Sequence, residues 1–237
     1  MSVSPTPEAP RARQIPKTLT THGDERSDPY YWLREREDPE VLKHLQAENE
    51  YTEAVMKPAA ELQRTLFKEI TGRIKQEDSS VPFFKRGYFY QKRYEEGKEH
   101  PIYARRKGSL EAPEEVLLDV NILAQPYAYY QVGGWSVSPD NRLLAYGEDT
   151  VSRRMYTLRF KDLESGKLYP EKIENTTGNV VWAADNRTIF YTKRDPDTLR
   201  AYRVLRHRLG TDPSEDVEVF RSEERRVGKE CPSPCRS

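Results

Sequence analysis

The sequence predicts a mainly β protein with an N-terminal α segment: two amphipathic helices, then about three four-stranded blades of an incomplete β-propeller. Three observations lead there. A strand–turn–strand unit, WSVSPDNRLLAYGEDT at 135–150, returns as VVWAADNRTIFYTKRD at 180–195. Apolar residues before residue 80 recur at helical spacing, whereas those after it alternate with period two. Between 81 and 220, turns rich in Asp, Asn and Gly divide the alternating segments into three groups, roughly 81–120, 130–175 and 178–220.

In the repeat, Asp140-Asn141-Arg142 falls on Asp185-Asn186-Arg187 and Tyr146 falls on Tyr191, an offset of 45 residues. Asp and Asn suit a tight turn because their side chains bond the local backbone and tolerate left-handed dihedrals. A hairpin recurring at a period of about 40–45 residues marks a propeller blade.

The chain in order begins with 27 residues rich in Pro, Thr, Arg and Ala, expected to be an extended or disordered arm. DPYYWLRE at 28–35 then reads as a hydrophobic plug that docks the arm. Asp38-Pro39 is a helix start, with Asp as cap and Pro at the first helical position. Leu42, Leu45, Thr52 and Val55 share one face of that helix. Pro58 interrupts it, since proline lacks the N–H and clashes with the preceding turn. A second helix runs to about Lys75, with Leu62, Leu66, Phe67, Ile70 and Ile74 spaced by three and four. The helical segment is placed at 28–78.

From Val81 the strands take over. Tyr88–Tyr94 and Pro101–Arg105 form a hairpin across a turn at Glu95–Lys98, and EEVLLDVN is a further strand. RRMYTLRFKDLESGKLYPEKIE is a long hairpin turning at Glu164-Ser165-Gly166, and AYRVLRHRLGTDPSEDVEVF closes the third group. One blade cannot bury both faces alone, and closed propellers have about 4–8 blades. The native protein is therefore expected to continue beyond Phe220. RSEERRVGKEC, from Arg221, resembles the translation of a sequencing-library adapter, and residues 221–237 are expected to be foreign.

Composition narrows the chemistry. The 39 basic and 39 acidic residues cancel, so no net field favours nucleic acid or a membrane surface. Fifteen tyrosines supply buried area that a modest aliphatic content lacks. No apolar run spans a bilayer, and the first twenty residues lack the apolar core of a secretory signal, so a cytoplasmic location is expected. Cys231 and Cys235 form a lone C-x3-C, weak as a metal pair. Gly134-Trp135-Ser136-Val137-Ser138 is the nearest approach to a nucleophile elbow but lacks its second glycine, and Ser136 is expected to be an ordinary strand residue. His22, His44, His100 and His207 have no motif partner and are expected at the surface. Arg105-Arg106-Lys107 and Arg153-Arg154 read as solvated turn charge. The sequons at Asn175 and Asn186 are expected to be idle. No residue is assigned a catalytic, cofactor-binding or metal role.

Several stretches together resemble the prolyl oligopeptidase family of serine peptidases. DPYYWLRE, DPEVLKHLQAENEYTEAVM and LFKEITGRIKQEDSSVPF match its N-terminal region. YEEGKEHPIYARR, EEVLLDVN, VSPDNRLLAYGEDT and YTLRFKDLESGK look most like its oligopeptidase B branch (protease II). The resemblance covers about residues 28–220. It implies a seven-bladed propeller, here incomplete, that admits short peptides to an α/β-hydrolase domain bearing a Ser-Asp-His triad. It also implies cleavage after Lys or Arg, with acidic groups binding the basic side chain. The two helices would then pack on that hydrolase domain, which is missing from this sequence. Short basic peptides and the hydrolase domain are the partners so implied, with no cofactor, nucleic acid or membrane, and the chain by itself is expected to be inactive. The rival reading is a stand-alone propeller-type module that binds a protein without catalysis.

Overall fold

A computed structural model describes residues 8–222; Cys231, Cys235 and the sequence from residue 223 lie outside them. Contacts divide the chain into two units, residues 1–75 and 76–237.

In the first unit, β1 (Lys17–Thr21) and β2 (Asp24–Asp28) pair antiparallel across His22 and Gly23. Both turn residues have positive φ, 53° and 83°, as a two-residue hairpin turn of type I′ requires. Residues 17–28 are thus a paired hairpin within and just beyond the segment expected to be an extended or disordered arm. Most of its side chains are polar and exposed, so it carries no apolar alternation to signal strands.

The aromatic stretch forms a short 3-10 turn at Tyr31–Arg34. Trp32 Nε1 donates to the Arg13 carbonyl at 2.8 Å, and the Ile15 N–H donates to Pro29 O at 2.8 Å. Lys17 Nζ lies 3.9 Å from the Tyr31 ring centroid. The aromatics therefore hold the incoming segment.

Helix α1 (Pro39–Met56) is capped by Asp38, whose carboxylate accepts from Glu40 N. A single 3-10 turn, Lys57–Ala59, absorbs Pro58, and α2 (Ala60–Gly72) follows. That helix ends three residues before the expected Lys75, tightening through Arg73 N to Ile70 O. Val41 is the buried residue of α1. The predicted apolar faces are on the surface: Leu42, Leu45, Val55, Leu62, Leu66, Ile70 and Ile74 are exposed, and Phe67 is 71% exposed. Among the described residues, no helix is long and apolar enough to cross a membrane.

The second unit is built of three four-stranded antiparallel blades. β3 (Phe83–Lys85), β4 (Tyr88–Arg93), β5 (Ile102–Lys107) and β6 (Glu114–Asp119) form blade 1 in sequence order. A short helix α3 (Val120–Ala124), capped by Asp119, leads to β7 (Gln131–Val137). β8 (Leu143–Asp149) and β9 (Tyr156–Asp162) follow, then the fifteen-residue β10 (Leu168–Trp182). β11 (Thr188–Arg194), β12 (Ala201–Arg208) and β13 (Val217–Arg221) complete the run. Arg221, assigned to the foreign tail, belongs to β13, where it pairs with Arg203 across the sheet.

β10 serves two blades. Its first part pairs with β9 as the outer strand of blade 2, and its last part pairs with β11 as the inner strand of blade 3. Thr176 is the pivot, matched with Tyr156 on one side and Lys193 on the other, and the register shifts between Thr176 and Val180. Gly178 makes the bend at φ 85°. A Cβ there would lie 2.8 Å from the Tyr156 ring, so a side chain is excluded by both backbone and space.

Two apolar clusters fill the unit. One joins Tyr90, Leu117, Leu118 and Val120 to Tyr130, Leu144 and Tyr146 between blades 1 and 2. The other joins Ala145, Leu158, Phe160 and Ile173 to Ile189, Tyr191 and Leu205 between blades 2 and 3. The aromatic repeat positions Tyr146 and Tyr191 are thus equivalent core residues of successive blades.

Candidate functional site

The chemistry-bearing residues lie in the seams between blades and in the turns at the blade ends. Asp140-Asn141 and Asp185-Asn186 occupy the turns that join the first and second strands of blades 2 and 3. Asn141 and Asn186 are left-handed, at φ 64° and 60°. Each also reaches across a seam. Asn141 Nδ2 donates to Arg86 O of blade 1 at 3.1 Å, and Asn186 Oδ1 accepts from Asp140 N of blade 2 at 2.9 Å. The repeated Asn therefore clasps the matching turn of the preceding blade.

Further bonds close the same seams. The indole of Trp182 donates to Ser136 O at 3.0 Å, linking the inner strands of blades 2 and 3. Trp135 packs among Tyr90, Tyr103 and Phe83, with centroid separations of 5.7, 5.7 and 6.4 Å, between blades 1 and 2. Arg105, 5% exposed, donates to Glu115 at 2.8 Å and to Asn141 O at 2.9 Å, with its guanidinium 4.1 Å from the Tyr88 ring centroid. Arg106 pairs with Glu114 at 2.8 Å. These two arginines are strand residues engaged inside the blade, which corrects the expectation of solvated turn charge. The cross-strand acids that neutralise them, Glu114 and Glu115, sit in register on β6.

Ser136 is on β7, and Gly134, the first glycine of the elbow-like stretch, is there for packing. A Cβ at Gly134 would come 2.2 Å from Asn179 Oδ1 and 2.9 Å from Gly178 O. That stretch runs within β7, whose register against β8 shifts between Val132 and Trp135, as it passes the β10 bend. It lacks the sharp strand-to-helix turn that exposes a nucleophile.

The histidines divide into two kinds. His22 is in the β1–β2 turn, and the His100 backbone is fixed by Asn121, which accepts from its N–H and donates to its carbonyl, both at 2.9 Å. His44 is largely covered, 3.7 Å from Glu48 and 6.3 Å from the Trp32 ring. His207 is wholly buried, against the expectation of a surface residue. Its Nδ1 lies 2.6 Å from Asp216 Oδ1, and its ring stacks on Phe160 at 6.0 Å. Nε2 faces Glu171 Oε1 at 3.5 Å. Glu171 Oε2 accepts from Gly210 N at 2.8 Å and Tyr191 donates to Asp216 at 2.7 Å. Phe160 and Glu171 come from blade 2, the others from blade 3, so this cluster binds the two blades. Its basic neighbours in sequence, Arg206 and Arg208, hid an inward-pointing residue.

Burial governs the phenols. Tyr146 is pushed up to about 12 by desolvation, with Glu148 adding to the shift. Tyr130 and Tyr191 are raised further, first by burial and then by the carboxylates of Glu148 and Asp216 that their hydroxyls bond. In the turns the opposite holds. Thr188 Oγ1 donates to Asp185, and backbone N–H groups of Thr188 and Arg187 add to it, lowering that carboxyl to about 2. Asp162 and Asp195 are lowered likewise by Ser165 and Thr198.

A crevice of about 510 Å³ lies between the first turns of blades 1 and 2 and is lined by Arg86, Lys107 and Arg142 against Glu115, Asp140 and Glu164. Its charges are mixed and it contains neither serine nor histidine. Among the described residues, no group of three or more His, Cys, Asp or Glu side chains is arranged to hold a metal. What the geometry offers is a wall of clasped blades.

Residues 7–230 match the family model described as the prolyl oligopeptidase N-terminal β-propeller domain. Among curated relatives, the chain is 48% identical over 220 residues to dipeptidyl aminopeptidase BI of Pseudoxanthomonas mexicana, covering 86% of this chain and 30% of that protein. It is 34% identical to protease 2 of Moraxella lacunata, covering 89% of this chain and 31% of that protein. Among solved structures, oligopeptidase B from Leishmania major superposes with a TM-score of 0.84 at 31% identity, over 92% of this chain and 33% of its own. Oligopeptidase B from Trypanosoma brucei, closed with covalently bound antipain, gives 0.82 at 28% identity over the same 92% of this chain and 33% of its own. The chain thus spans about a third of the length of the relatives it matches.

Proposed function

Because the chain belongs to the prolyl oligopeptidase family, we propose that it is the N-terminal portion of a longer serine peptidase that cleaves short peptides after Lys or Arg. In this reading the blades form part of a seven-bladed gate over an α/β-hydrolase domain, and the exposed faces of α1 and α2 pack on that domain. The observation that carries it is the match of this chain, its clasped blades included, to oligopeptidase B over 92% of its length. The gate selects by size, and the reaction itself belongs to the hydrolase domain. There a serine attacks the peptide carbonyl, a histidine carries the proton and an oxyanion hole holds the intermediate.

The 48% identity to a dipeptidyl aminopeptidase favours a second reading, in which the same enzyme removes dipeptides from free N-termini. The two differ in what the enzyme requires upstream of the scissile bond. Full-length protein is offered an arginyl fluorogenic dipeptide with either a free or an acylated N-terminus. Hydrolysis of the acylated substrate, abolished by a serine-reactive phosphonate, supports the endopeptidase. Hydrolysis of the free form alone supports the aminopeptidase. Turnover of neither, with the protein folded, contradicts both.

A further inference from the structure

On the outer rim of blades 1 and 2, a cleft of about 290 Å³ opens between β6, α3 and the β9–β10 hairpin. Its walls are aliphatic. Val116, Leu118, Ile122, Leu123 and Leu168 line it, with Tyr146 beside them. Ile122 and Leu168 remain exposed, Ile122 at 62%, whereas Leu118 and Tyr146 are buried. A single cation, Lys161, is set among these groups.

Lys161 is an unusual occupant. Its ammonium donates to Leu117 O at 2.8 Å, a neutral carbonyl that uses one of its three donors. Among the described residues, no carboxylate forms an ion pair with it. Asp119, which also lines the cleft, has Oδ1 engaged by Asn121 N at 3.0 Å and Asn121 Nδ2 at 3.2 Å. Burial alone holds the ammonium below the usual lysine value, with no neighbouring charge restoring it. A half-buried cation without a counter-ion is costly, and an anion brought to it would recover that cost. The aliphatic walls set the rest of such a ligand. A bare inorganic anion would leave Val116, Ile122 and Leu168 uncovered, and a neutral hydrocarbon would leave two ammonium donors unmet.

We propose that this cleft binds a small amphipathic carboxylate, its charged end on Lys161 and its apolar end against Val116, Ile122 and Leu168. The volume is at the small end of ligand sites, which run from about 300 to 1,000 Å³, so the ligand is short. A free short-chain acid and the C-terminal aliphatic residue of a peptide both present this chemistry. The site lies outside the peptidase reading and does not depend on it.

Calorimetry with full-length protein tests the proposal. The probes are hexanoate and a short acetylated peptide ending in free leucine, against 1-hexanol and the same peptide amidated. Each carboxylate that binds is expected to do so roughly tenfold or more tighter than its uncharged control, the margin of one charge-assisted hydrogen bond. Tighter binding of hexanoate identifies a free acid as the ligand, and tighter binding of the peptide identifies a chain terminus. Lys161→Met, which keeps the stem and removes the charge, should abolish the preference. Ile122→Glu, at an exposed position outside the seam, should weaken the carboxylate by a similar factor and decides the matter if Lys161→Met does not fold. Equal affinity for acid and alcohol, absence of binding, or carboxylate binding unchanged in the folded variants would overturn the proposal.

Discussion

At the scale of single residues, the repeated Asn has two jobs that a sequence shows only in part. Its tolerance of left-handed backbone is visible from the turn chemistry, but the bond it sends to the preceding blade is not. Replacing Asn141 by Ala removes the bond to Arg86 O, together with the longer one accepted from the Tyr90 hydroxyl at 3.4 Å, and leaves a β-carbon at φ 64°. Replacement by Gly removes the same bonds and relieves the backbone. Asn141→Ala is expected to cost about 1–2 kcal/mol in chemical denaturation of the full-length protein, and Asn141→Gly less, the loss of a single hydrogen bond being about 1 kcal/mol. Equal stability of both variants and the parent would show that the clasp contributes nothing.

The buried phenols set the alkaline limit. Tyr146 titrates at about 12 when folded, against an ordinary value of 10.0, and Tyr130 and Tyr191 are raised as well. Below pH 10 these groups are neutral in both states and their contribution is intact. Above pH 10 the unfolded chain ionises first, so stability is lost as pH rises from 10 towards 12 and beyond. Absorbance of tyrosinate followed with pH should therefore show a late step coincident with unfolding. A single smooth titration near pH 10 would contradict the burial of these rings.

At the scale of elements, β10 is the decisive one. A sequence reader sees two strands, one closing blade 2 and one opening blade 3. The structure makes them one strand that bends at Gly178 and pivots on Thr176, whose hydroxyl accepts from Gly178 N at 3.1 Å and donates to Tyr156 O at 2.9 Å. Gly178→Ala should destabilise the blade 2–3 seam well beyond the roughly 1 kcal/mol usual for glycine replacement, because φ is positive and Tyr156 occupies the space. A melting temperature within a degree of the parent would refute that reading of the bend.

The same element shows why some features were legible and others were not. Blades were visible because Asp-Asn turns and period-two aromatics act within a few residues of one another. The β1–β2 hairpin was missed because its strands are polar on both faces. His207 and Arg105 were misplaced because their neighbours are basic, and only cross-strand and cross-blade partners reveal that they point inward. Partners distant in sequence, such as Glu171 for His207 and Asn141 for Arg105, leave no local signature.

At the scale of the whole molecule, the chain supplies clasped blades and a pair of helices with exposed apolar faces. No histidine ring among the described residues bonds a serine hydroxyl in the way a triad requires. In the function proposed above, the serine chemistry lies in a hydrolase domain beyond this portion, and this portion gates and supports it. The most direct test is to label active full-length protein with a fluorophosphonate and map the modified serine by mass spectrometry of its peptides. Modification at a serine beyond residue 237, with Ser136 and the other serines of 8–222 untouched, is the expected result. Label on Ser136, or on any serine within 8–222 with loss of activity in step, would contradict it.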